Sequence, residues 1–142
     1  MNDRVSLIVQ EGALRSYFPT SKITRDREKE ITWTHTLQPS SLSNTYKVKI
    51  HYSDKKGAQV FVVNPQPLEK AAGKILLPHV YSTPKQELCL YYPVWREWDP
   101  GMLYVHTLIP WTSEWLYHYE IWVATGVWNG GGIDHETTAE HG

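Results

Sequence analysis

The 142 residues hold only one cysteine, so Cys89 cannot form an intrachain disulfide. A lone thiol fits a reducing compartment, and its oxidation would find no resolving partner. Net charge is nearly absent as well. Fourteen basic side chains stand against fifteen acidic ones for a formal charge of −1, which gives no electrostatic ground for binding nucleic acid or an anionic membrane surface. No apolar run approaches the roughly 18 residues of a membrane span, and the opening MNDRVSLIVQEG lacks a basic region followed by a signal-type apolar stretch. A soluble, cytoplasmic protein with a globular protein partner is expected. No Gly-x-Ser-x-Gly elbow occurs, which argues against a serine hydrolase. His106, His118, His135 and His141 have no companion cysteines and no tight ligand spacing, so no zinc site is expected. No internal repeat is found.

The length fits one domain, able to bury roughly two thirds of the surface its unfolded form exposes, with no room for a second catalytic domain. Aromatic residues are unevenly spread: six of the seven Trp lie between Trp95 and Trp128, which suggests a large rigid packing surface in the C-terminal half. From Asp3, the residues Val5, Leu7, Ile8, Leu14 and Tyr17 suit an amphipathic helix closed by Pro19 and weakened by Gly12. A short strand at Lys22 to Arg25 and a charged turn lead to Ile31, Trp33, His35 and Leu37, which alternate with Thr32, Thr34 and Thr36 at the period of a strand. Tyr46, Val48, Ile50 and Tyr52 then alternate with Lys47, Lys49 and His51, as a sheet wetted on one face requires. SDKKG reads as a hairpin turn and QVFVV as a strand stopped at NPQP. The expected architecture is α+β, with an N-terminal helix, a four-stranded antiparallel meander, a site-bearing loop and C-terminal helices.

The loop spans Leu68 to about Trp98, punctuated by Gly73, Pro78, Pro84 and Pro93 and showing no sustained period. Such a loop in a small domain is usually functional. MLYVHTLIPWTSEWLYHYEIWVATG reads helical, with Pro110 starting a second helix or kinking the first and Gly126 as C-cap. Residues 1–128 form the expected domain. The small, polar residues 129–142 read as a disordered tail. Cys89 sits inside the loop with His79 ten positions before it and an aromatic wall after it, which places the thiol on a semi-rigid surface.

At these positions the chain resembles the ubiquitin-conjugating enzymes, which place a His-Pro-Asn tripeptide, a cysteine flanked by Leu or Ile and Leu, and a Trp-x-Pro at such spacings. The matching residues are His79, Leu88-Cys89-Leu90 and Trp98-Asp99-Pro100. Similarity is greater to the bacterial branch of cyclic-oligonucleotide antiphage signalling (CBASS), through LCLYYP at 88–93, EWDP at 97–100 and IPWTSEWLYHYEIWVATGVW at 109–128. The resemblance implies a ubiquitin-conjugating-like fold and a thioester on Cys89. The acyl group would be the C-terminus of a cGAS-like nucleotidyltransferase, passed on to an amine.

A thiolate attacking an activated carboxyl gives a thioester that an amine can still displace, so one cysteine suffices for the covalent chemistry. The Asn that the family places near the oxyanion is missing, since Val80 and Tyr81 occupy the matching positions. Backbone N–H groups of Val80 to Thr83, or the hydroxyls of Tyr81, Ser82 and Thr83, are the candidates to replace it. The resemblance makes His79 a brace for the loop rather than a proton carrier. Trp98 and Pro100 read as packing, and Glu97 and Asp99 as acids that either orient an incoming lysine or are only solvated. No cofactor is expected, ATP included, which leaves a separate activating enzyme as a further partner. Two rivals stand beside this reading. One is a non-catalytic binding module of the same fold, and the other is a cysteine hydrolase in which Cys89 and His79 pair as nucleophile and base.

Overall fold

In the computed structural model, residues 4–91 and 97–131 are described. Helix α1 is Leu7–Tyr17, beginning later than the expected Asp3. Two groups set its start. Ser6 caps it by accepting from the Val9 N–H at 3.4 Å, and the Glu28 carboxylate, reaching over from a turn between strands, accepts from the N–H groups of Leu7 (2.6 Å) and Ile8 (3.0 Å). Leu7, Gln10 and Leu14 form its buried face. Gln10 is buried because it is satisfied: its amide donates to the Met102 carbonyl at 2.9 Å and accepts from the Tyr104 N–H at 3.1 Å. Gly12 lies within the helix and does not break it.

Strands β1 (Lys22–Asp26), β2 (Glu30–Leu37), β3 (Tyr46–Ser53) and β4 (Gly57–Asn64) form the expected antiparallel meander. Period-two alternation puts Ile31, Trp33, Val48, Ile50, Tyr52, Val60 and Val62 on the inner face, in cross-strand registers such as Trp33 with Ile50 and Ile50 with Val60. Gly57 closes the β3–β4 hairpin at φ +70°, a conformation that favours glycine.

The meander does not end the sheet. Two further strands, β5 (Val80–Ser82) and β6 (Glu87–Leu88), extend it to six in the order β1-β2-β3-β4-β6-β5, so the expected four-stranded sheet is corrected to six. They occupy the stretch read as irregular, because strands of three and two residues are shorter than any detectable period. Gln86 anchors them. Its buried side chain accepts from the Leu68 N–H at 2.7 Å and donates to the carbonyls of Val62 (2.9 Å) and Pro65 (3.0 Å), tying the loop to the end of β4.

A 3-10 turn at Tyr104–His106 precedes helix α2, Leu108–Thr125, so one α-helix stands where helices were expected. Pro110 falls in its first turn, where a missing N–H breaks no intrahelical bond. Gly126 takes the left-handed conformation at φ 78° and its N–H returns to the Trp122 carbonyl at 2.7 Å. Leu108, Thr112, Trp115, Leu116, Tyr119 and Trp122 turn inward to the shared core. No helix among the described residues is long and apolar enough to cross a membrane.

Candidate functional site

Cys89 follows β6 directly, and its position is fixed through the backbone of His79 at the start of β5. The His79 carbonyl accepts two bonds, from the Cys89 N–H at 3.0 Å and from the Trp115 indole of α2 at 3.1 Å. To turn that carbonyl inward, His79 adopts φ +49°, an uncommon conformation for a side chain with a Cβ. Its imidazole packs on the Trp128 ring at 4.9 Å between centroids.

Cys89 is 8 % exposed. Its thiol donates to the Tyr91 carbonyl at 3.3 Å, and the Tyr81 phenol lies near enough to the sulfur to feel its charge. Burial, then the negative charge and hydrogen bond of a Cys89 thiolate, hold the Tyr81 phenol well above its ordinary range, so it keeps its proton at neutral pH. Tyr91 is pushed up to about 12, first by burial and then by the same thiolate charge. The neighbouring hydroxyls serve the backbone. Ser82 Oγ accepts from the Lys85 N–H at 3.2 Å and Thr83 Oγ1 from the Leu77 N–H at 3.0 Å.

Tyr81, Tyr91, Trp98, Asp99 and Pro100 all line one groove of about 840 Å³. Residues of the β3–β4 hairpin and Gln59 line it too, with Glu87 of β6 beside them; nothing local in the sequence marks Gln59, which the β4–β6 pairing brings in. The Trp98 indole donates to Thr107 Oγ1 at 3.1 Å, and its ring packs on Tyr91, Tyr52 and Tyr104. Asp99 accepts from the Gly101 N–H at 2.7 Å, and the Pro100 carbonyl accepts from the Val5 N–H at 2.9 Å. Of the sequence-derived motifs, Tyr92, Pro93 and Trp95 lie outside the described residues, as do His135, His141 and the tail beyond residue 131. Among the described residues no three His, Cys, Asp or Glu side chains cluster as metal ligands.

The family model for the Type II CBASS E2 protein matches residues 10–136. The chain belongs to this family. Membership gives this CBASS E2 protein an E2-like role in antiphage defence, alongside other CBASS proteins. A comparison with curated proteins finds no match.

Proposed function

We propose that this CBASS E2 protein has a ubiquitin-conjugating-like fold and is a cysteine acyltransferase, with Cys89 carrying the C-terminus of a cGAS-like nucleotidyltransferase as a thioester. The observation that supports this best is the conjunction at Cys89: the chain's one thiol lies close to the Tyr81 phenol, and Tyr81 and Tyr91 line a groove together with the Trp98-Asp99-Pro100 segment. A separate activating enzyme supplies the activated carboxyl. The Cys89 thiolate attacks the carbonyl carbon and expels the activating group. An amine then attacks the thioester, the C–S bond breaks, thiolate leaves, and the nitrogen sheds a proton. Tyr81 takes the part of the absent Asn, because a phenol close to the sulfur lies next to the carbonyl oxygen that becomes the oxyanion. His79 braces the loop through its carbonyl, which holds the Cys89 N–H and the Trp115 indole, and through its ring, which packs on Trp128.

The groove suits the chain segments that approach the sulfur. Tyr81, Tyr91 and Trp98 offer apolar faces, while Asp99 accepts from the Gly101 N–H of its own turn. The test is intact-mass analysis after mixing the protein with an operon-encoded nucleotidyltransferase and its activating enzyme. An adduct on Cys89 removed by a small thiol supports the carrier reading. Adducts mapping only to lysine, with none at Cys89 at any time, would defeat it.

A further inference from the structure

The segment after α2 closes against the loop that carries Cys89. Trp128 folds back from Gly126 so that its ring lies 4.9 Å from the His79 imidazole, 5.8 Å from Trp115 and 5.7 Å from His118. The Trp128 indole N–H donates to the Gly131 carbonyl at 3.3 Å, which draws the backbone over the ring. The fit is tight at one position. A Cβ on Gly130 would stand 2.9 Å from both His118 Cδ2 and Trp128 Nε1, whereas one on Gly131 would meet nothing within 4 Å among the described residues.

His79 is thus held from two sides by tryptophan. Trp115 takes its carbonyl and Trp128 covers its ring, while the same carbonyl receives the Cys89 N–H. A residue with a Cβ keeps φ +49° only when its surroundings over-determine it. We propose that residues 127–131 form a strap that fixes the Cys89 loop, with Trp128 as a positioning residue acting through His79. Removing the ring lets His79 relax, its carbonyl swings away from the Cys89 N–H, and the thiol shifts relative to Tyr81 and the Tyr91 carbonyl. The consequence for transfer rests on the carrier reading; the loop geometry does not.

The experiment measures alkylation of Cys89 in the full chain by iodoacetamide, followed by intact mass over the range where a thiol titrates, about pH 8.5. Trp128→Ala and Gly130→Ala should react about tenfold faster than wild type and with a displaced pH midpoint, while Trp128→Phe and Gly131→Ala stay within about twofold. If Trp128→Ala also weakens the fold, the two glycine variants decide, because they place the same methyl group one residue apart. Wild-type rates in both Trp128→Ala and Gly130→Ala overturn the proposal, and so does equal acceleration by Gly131→Ala. A failure to load Cys89 with any acyl group would remove the carrier reading and leave this outcome unchanged.

Discussion

Replacing Tyr81 by Phe removes one oxygen and keeps the ring that lines the groove. Tyr81 as a residue is 39 % exposed, and loss of its hydroxyl should cost about 1 kcal/mol of stability. The rate should respond differently. Removal of one donor aimed at a developing oxyanion costs about 100-fold, equivalent to about 2.7 kcal/mol of barrier. Ser82→Ala and Thr83→Val should give the opposite pattern, because the donor role is assigned to Tyr81 while these hydroxyls each support the fold by accepting a backbone N–H, from Lys85 and Leu77. Each should lose about 1 kcal/mol of stability and little rate. The assay is single-turnover discharge of thioester-loaded protein to an added amine, with thermal midpoints of all four proteins measured alongside. Burial, the largest cause holding the phenol above its ordinary value of 10.0, does not need a thiolate and so acts in the loaded protein too; the donor persists through that pH, and the ratio of wild type to Tyr81→Phe should stay constant up to it. Near-normal discharge by Tyr81→Phe would refute the side-chain donor and leave only backbone N–H groups for the role.

Cys89→Ala should neither load nor transfer, whereas Cys89→Ser should load slowly and hold its ester, because an alkoxide leaves far less readily than a thiolate whose thiol titrates near about 8.5; undiminished transfer by the alanine variant would favour a binding module. Gln86→Ala strips partners from a buried N–H and two carbonyls and should destabilise by about 3 kcal/mol or more, read from the urea midpoint, and Gln86→Glu should do no better because it sets a carboxylate against those carbonyls. The Glu28 carboxyl is held below its ordinary 4.5, first by the Leu7 N–H and then by the Ile8 N–H and Arg4, against a smaller opposing cost of burial. A depressed carboxylate gives stability that is present above about pH 4.5 and lost as pH falls through the lower folded value. The thermal midpoint should therefore fall more steeply in acid for wild type than for Glu28→Gln, and parallel curves would contradict the assignment.

How far the sequence discloses this molecule depends on the range over which each feature is set. Ile31, Trp33 and Leu37 face the core and Thr36 faces solvent because strand alternation is written into eight consecutive residues. His35, placed on the same inner face, is half-buried against Trp33 and Phe18, so the pattern holds for a polar member too. Strands β5 and β6 have no such length. Their existence depends on Gln86, whose φ of +53° and three hydrogen bonds to distant backbone are invisible as periodicity. The same division runs through the site. Cys89, His79, Tyr81 and the Trp98-Asp99-Pro100 run are legible because they stand at short, fixed separations along one loop. Gln59 reaches the groove only through a pairing across the sheet, at the register of Phe61 with Glu87. Trp128 shows the limit most clearly. A Gly-rich polar composition describes the average of residues 129–142, yet the ring just before them packs on His79 and the glycine at 130 is the residue type that lets the chain close over it. Whether a glycine loosens a segment or permits close packing is decided by the atoms a Cβ would meet, here the Trp128 indole two residues back and the His118 ring of α2.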